Sequence, residues 1–324
     1  MRTLFLAVAL YAAASLGSAD TEGYRSGTLP VRMRRDVRER ASRVVPVKRY
    51  MVAIRPPLAT STRPDVDLRP AFARQHIEVR DQGNRNTCGI FAVTACLQFV
   101  LATTKGFSPG EFSPEYLNYV KNLANHTSTD GGFFTEINEG YGRFGIYLEA
   151  QVPYRSPYDP RYRVPEAYIA LAQNWPRLKP DVIKDWDNTK GATDEEVGEI
   201  CEYLDKSIPV AAGFMWPKQD SFQTHTIEGV EVMVTPRRAN VIDGHSVALV
   251  GYRRSPELPG GGYFIFRNSW GPDWGDHGHG YMPFEYVTQY CNDMVAYKPS
   301  LVARRTSPSD VPSGPHPVGP RGPN

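Results

Sequence analysis

Apolar and polar positions divide the chain into segments of different period. From Thr87 to Phe99 (TCGIFAVTACLQF), apolar residues fall at Ile90, Phe91, Val93, Ala95, Leu97 and Phe99. That spacing predicts a buried helix, with Thr87 suited to cap its start. Asp194 to Leu204 has the pattern of a second, amphipathic helix. Pro209–Phe214 (PVAAGF) predicts a strand. Ser246–Tyr252 (SVALVGY) and Tyr263–Arg267 (YFIFR) predict two more. The Pro- and Gly-rich stretch 253–262 joins this last pair, so an antiparallel hairpin is expected. Helices come early and strands late, which is an α+β order with two lobes.

The two ends read differently. Arg2 precedes an apolar run from Thr3 to Leu16, and the small residues Gly17, Ser18 and Ala19 follow it. This is the layout of a secretory signal peptide over residues 1–19, with cleavage after Ala19. At 1.5 Å per residue the apolar run reaches about 21 Å, short of a ~30 Å bilayer core. Residues 20–64 are rich in Arg with scattered Pro and little periodicity. They read as a basic linker or a short pro-segment. Residues 302–324 hold almost no large apolar side chain, so burial cannot offset the entropy of ordering them, and a disordered tail is expected. The globular body is residues 65–301.

Composition adds an asymmetry. Residues 1–64 hold 12 Lys and Arg against 4 Asp and Glu; with 37 and 35 in the whole chain, the remainder is net −6 behind a +8 leader. A mildly acidic body does not suit nucleic acid, which needs clustered Lys and Arg. Four cysteines are too few for a disulfide-built scaffold. No membrane contact is expected once the signal is removed, and a monomer is.

Cys88 stands where the first helix begins. The positive end of a helix favours the thiolate, the reactive form of a thiol. Gln82 lies six residues earlier, and a side-chain amide there can help bind an oxyanion together with the Cys88 N–H. Far downstream, His245 opens an apolar strand and Asn268 closes the next. Neighbouring antiparallel strands bring those ends together, so the amide can orient the imidazole.

Three blocks in this order resemble the papain/cathepsin family of cysteine peptidases: Asp81-Gln82-Gly83…Cys88-Gly89-Ile90-Phe91-Ala92, Gly244-His245-Ser246…Gly251-Tyr252, and Asn268-Ser269-Trp270-Gly271…Trp274-Gly275. Asp67-Leu68-Arg69 resembles the start of the mature enzyme in that family. The resemblance implies a papain-like two-lobe fold, with a helical lobe, a β-barrel-like lobe and the active-site cleft between them. It implies Cys88 as nucleophile, His245 as general base and acid, Asn268 as the orienting amide and Gln82 as oxyanion donor. Trp270 resembles the indole that shields the Asn–His bond, and Trp274 the one lining the leaving-group side. Gly131 and Gly132 resemble the segment over which an extended peptide is laid. Phe133 or Phe134 would then wall an apolar specificity pocket with Gly213 and Ser246.

The chain also departs from that family. Arg85 stands where the family signature has its first Cys, so that disulfide is absent, and Gly89 stands where an aromatic usually follows the nucleophile. The stretch Asp276–Tyr281 is two residues longer. The spacing from Cys88 to His245 and Asn268 also exceeds the family's usual ~130–150 residues. The substrate expected is a polypeptide, cleaved with no metal or organic cofactor, in a secreted or other extracytoplasmic setting. A non-catalytic secreted binding module, or a transpeptidase or amidase using the same thioester, are the alternatives. His277 and His279 with Asp273 and Asp276 make no tetrahedral set, so a solvated turn is expected there rather than a metal. Asn125-His126-Thr127 is a glycosylation sequon. Buried free thiols are the default for Cys96, Cys201 and Cys291, with a Cys201–Cys291 bridge as the option.

Overall fold

The computed structural model describes residues 63–299. The expected signal peptide, nearly all of the basic leader and the tail therefore lie outside the described residues. Pro64 already belongs to the packed body, because its carbonyl accepts the Arg254 N–H at 3.0 Å.

A short strand β1 (Asp65–Asp67) and helix α1 (Arg69–Arg74) precede the loop that carries Gln82. Helix α2 (Cys88–Lys105) then runs a turn and a half beyond the predicted span. It is buried nearly throughout, from Ile90 to Ala102, as expected of a helix apolar all round. It stops at Gly106, which takes the left-handed conformation (φ +61°), while the Phe107 N–H turns back to the Leu101 carbonyl at 3.1 Å. Thr87 precedes α2 as expected, but its hydroxyl does not cap the helix. It is instead hydrogen-bonded to the Tyr154 hydroxyl at 2.6 Å. A tertiary partner has displaced the local one.

Helices α3 (Pro114–Asn125), α4 (Phe134–Phe144) and α5 (Glu166–Gln173) complete the helical half. Ser113 caps α3 by accepting the Tyr116 N–H at 2.9 Å, with Pro114 in the first turn. The second predicted helix is α6 (Asp194–Asp205), after strand β2 (Leu178–Lys184). Its start is a capping box in which Thr193 and Glu196 each accept the other's backbone N–H.

The remaining strands are β3 (Val210–Pro217), β4 (Thr224–Ile227), β5 (Val230–Met233), β6 (Val241–Arg254), β7 (Gly262–Arg267), β8 (His279–Pro283) and β9 (Cys291–Pro299), with helix α7 (Phe284–Tyr290) before the last. They form one sheet in the order β2-β9-β3-β6-β7-β8-β5-β4, and β1 pairs with β6. The expected hairpin is β6–β7, paired from Ala248↔Arg267 to Arg254↔Gly262. On its other edge β6 pairs with β3, placing Phe214 opposite His245 and Gly213 opposite Ser246. Asn268 follows β7 by one residue, and with Arg267 opposite Ala248 it lies beside the part of β6 that follows His245. Helix α2 packs against β6, β9 and β3. Phe91 and Ala92, in the first turn and a half of α2, line one cavity together with Ser246 and Val247 of β6.

Candidate active site

Cys88 is the first residue of α2 and is 7% exposed. The loop before it is held at several points. The Gln82 N–H donates to the Ser269 carbonyl at 2.8 Å, and Asp81 bridges to Trp270. The Gln82 side chain is fully buried. Its Oε1 accepts from Ser269 Oγ at 2.6 Å, and its Nε2 donates to the Arg85 carbonyl at 2.7 Å. An amide NH2 carries two hydrogens, so one remains for a further acceptor. Tyr154 ties the two ends of the loop. Its hydroxyl donates to the Gln82 carbonyl at 2.8 Å and meets the Thr87 hydroxyl.

His245 and Asn268 meet as the hairpin predicts. Asn268 Oδ1 lies 2.8 Å from His245 Nε2 and also accepts the Ser269 backbone N–H at 2.8 Å. The second contact fixes the amide, because a backbone N–H must face the oxygen rather than the NH2. That in turn fixes the imidazole: Nε2 carries hydrogen, and Nδ1 is the nitrogen that can exchange a proton. The ring is 2% exposed. The Trp270 indole stacks on it at 4.6 Å between centroids, and the Trp216 ring stands edge-on at 4.7 Å. Trp274 is buried behind Trp270, edge to face at 5.3 Å, and also near Phe266.

A cavity of about 30 Å³ lies between the two halves, lined by Phe91, Ala92, Ser246, Arg267, Asn268 and Ser269 among others. Arg267 is buried there, donating to the Ile77 carbonyl at 2.9 Å. Burial, only partly offset by the charge of Glu78, brings its pKa down to about 10. Gly131 and Gly132 have partners within the protein. Gly131 has φ +76°, and a Cβ there would overlap the Asn86 carbonyl oxygen. A Cβ on Gly132 would meet the Glu136 carboxylate, which accepts the Phe133 N–H at the start of α4. The close approach that Gly131 permits is therefore to the Cys88 loop itself. The Phe133 ring packs edge-on against Trp186 at 5.3 Å.

Gln82, Ser269, Asn268, His245 and Trp270 thus form one connected set of hydrogen bonds and ring contacts. Gly131, Gly132 and Phe133 border it across Asn86, Ser246 lines the cavity beneath, and Trp274 supports Trp270. Tyr154, Trp216 and Arg85 are further members of the site region. No local pattern marks the first two as such.

All four cysteines are free and buried, so the optional Cys201–Cys291 bridge does not form. Both ends of that pair sit in apolar packing, where burial pushes each thiol upward. His277 occupies a turn at φ +50°, while His279 lies in β8 opposite Arg267. Among the described residues no group of three or more His, Cys, Asp or Glu is arranged to hold a metal. The sequon Asn125 donates its amide to the Lys121 and Glu136 carbonyls at 2.8 and 3.0 Å.

The family described as papain family cysteine protease matches residues 63–298. Pro-cathepsin H of Bos taurus is 28% identical over 204 residues, covering 62% of this chain and 54% of that protein. A cathepsin B-like protein of Giardia intestinalis is 26% identical over 226 residues, covering 68% of this chain and 69% of that protein. The chain thus spans about half the length of the cathepsin H precursor. Among solved structures, xylellain, a cysteine protease from Xylella fastidiosa, superposes with a TM-score of 0.60 at 22% identity, covering 86% of this chain and 96% of that one. That likeness is one of fold.

Proposed function

This chain belongs to the papain family of cysteine proteases, and on that premise we propose that it hydrolyses peptide bonds through a thioester on Cys88. His245 Nδ1 takes the thiol proton, giving a thiolate beside an imidazolium. The sulfur adds to the peptide carbonyl. The oxyanion is held by the remaining Gln82 Nε2–H and the Cys88 N–H. His245 returns its proton to the amine as the C–N bond breaks. Water, deprotonated by the same nitrogen, then attacks the thioester and releases the acid and the thiol. Asn268 and Trp270 keep the imidazole in register throughout.

The observation that carries this reading is the shared Asn268 oxygen. It commits Nε2 to the protein and leaves Nδ1 as the working nitrogen. The N-terminal position of Cys88 on α2 adds a favourable field for the thiolate. Residues 65–301 are the peptidase body in this reading, acting on polypeptides outside the cytoplasm as a monomer. The basic leader restrains the acidic body until it is removed. Forms beginning at Asp20 and at Asp65 test that: equal hydrolysis rates would dismiss the restraint.

The central test is a fluorogenic peptide library assayed on wild type and Cys88→Ala, with labelling by an epoxide thiol inhibitor. Hydrolysis that disappears in Cys88→Ala, with labelling at Cys88, is expected. Selective labelling without turnover would indicate another acyl chemistry, and added amines would then reveal transpeptidation. No selective labelling at all would favour a binding module.

A further inference from the structure

Arg85 is charged and 3% exposed, and the reaction above makes no use of it. Its guanidinium is surrounded on every side. Nε and Nη2 grip the Asp130 carboxylate at 3.1 and 2.8 Å. Nη1 pairs with Glu115, itself 2% exposed, and donates to the Arg155 carbonyl at 2.6 Å. The group lies 4.4 Å from the centre of the Tyr154 ring and 5.2 Å from that of Tyr158. Burial opposes the charge, and the hydrogen bonds and charge of Asp130 more than offset that.

The main chain of the same residue does something different. The Arg85 carbonyl accepts from Gln82 Nε2 and so sets the direction of that amide. The side chain reaches across to Asp130, the residue next to Gly131, and the Gly131 N–H is held in turn by Asn118 Oδ1 at 3.0 Å. One residue therefore links the amide that faces the oxyanion to the segment packed against Asn86.

Resting on the peptidase reading above, we propose that Arg85 is a positioning residue for the oxyanion donor: its ion pairs with Asp130 and Glu115 anchor the 82–88 loop so that Gln82 Nε2 and the Cys88 N–H stay aimed at one point. The anchor sits where the family signature has a cysteine. Being ionic, it is indifferent to the reducing conditions that keep Cys88 a thiol.

The test separates two reactions of the same sulfur. Hydrolysis of a peptide amide develops an oxyanion, whereas alkylation by iodoacetamide displaces iodide and develops none. Arg85→Lys keeps the charge and loses the planar fork. It is expected to lower kcat on a fluorogenic peptide by about 10- to 100-fold, less than outright loss of an oxyanion donor. KM and the alkylation rate of Cys88 are expected to stay near wild type. Arg85→Met with Asp130→Asn and Glu115→Gln removes all three charges together, so no carboxylate is left buried alone, and the same split is expected. Hydrolysis and alkylation falling in parallel would overturn the proposal, as would neither falling. Should wild type be alkylated yet hydrolyse nothing, the peptidase reading fails on its own. Amide hydrogen exchange over residues 82–88 then decides the anchor: faster exchange in Arg85→Lys supports it, and unchanged exchange overturns it.

Discussion

Replacing Asn268 by Ala removes one oxygen that serves two donors, the His245 ring and the Ser269 backbone, each at 2.8 Å. Both donors are nearly inaccessible to solvent, His245 at 2% and Ser269 at 5% exposure. A buried donor left without its acceptor costs about 1–3 kcal/mol. The chemistry sees the His245 half, because a ring without that bond can rotate and exchange tautomers. At ~1.4 kcal/mol per tenfold, kcat/KM is expected to fall by about 5- to 150-fold. Stability carries both halves, which should lower Tm by several degrees at about 2–4 °C per kcal/mol for a domain this size. The assay is kcat/KM on a fluorogenic peptide across pH, with calorimetry on the same samples. Asn268→Asp is the informative companion. Asn268 Nδ2 is buried without a hydrogen-bond partner, so exchanging it for oxygen deletes no bond. The added negative charge favours the imidazolium, so its proton is held to higher pH and the alkaline limb of kcat/KM moves up. Near-wild-type kcat/KM in Asn268→Ala, or a downward shift of that limb in Asn268→Asp, would refute the reasoning.

Three further outcomes follow from the packing. His279 is held down to about 4, first by burial and then by the charges of Arg267 and Arg69, against about 6.5 when unfolded. The unfolded chain therefore binds the extra proton first, and stability present above pH ~6.5 is lost as pH falls towards the folded value, by about 3 kcal/mol in all. The unfolding free energy from denaturant melts should fall with pH across that window for wild type and fall less for His279→Gln; equal dependence on pH would exclude His279 as the cause. Gly131→Ala combines a left-handed φ with a clash on Asn86, so Tm and kcat should both fall, whereas Gly142→Ala, in α4 with open space around it, should gain about 0.5–1 kcal/mol; a neutral Gly131→Ala would contradict the close approach. Burial pushes Cys96, Cys201 and Cys291 upward, Cys201 to about 12, so native iodoacetamide labelling should stop at Cys88 and reach all four thiols only on unfolding. A second thiol reacting as fast in the native protein would contradict that burial.

Much of the frame is legible in the residues. The apolar run after Cys88 and the Thr193–Glu196 capping box depend on neighbours a few positions apart, and the β6–β7 hairpin on pairs 8 to 19 positions apart. Helix α3 carried a readable start at Ser113-Pro114-Glu115, a cap signal that its sparse apolar face obscured. Strand β9 was harder, because Asn292 and Asp293 are polar yet buried within it. Thr87 is the instructive departure, since a capping hydroxyl and a tertiary partner competed for it and Tyr154 won.

Residue order alone determined the chemical inventory and its local settings: a thiol at a helix start, an imidazole at the head of an apolar strand run, an amide just past a strand's end. These follow from periodicity and propensity, which act over one or two turns of chain. That β6 itself begins earlier, at Val241, only the fold decided. Tertiary structure alone decided which oxygen holds which hydrogen. Asn268 Oδ1 serves two donors, Tyr154 reaches Gln82 from 72 positions away, and Arg85 finds Glu115 and Asp130 at 30 and 45. The physical reason is one of range and tolerance. A hydrogen bond fails over a fraction of an ångström, and only the packed core fixes distant segments that closely.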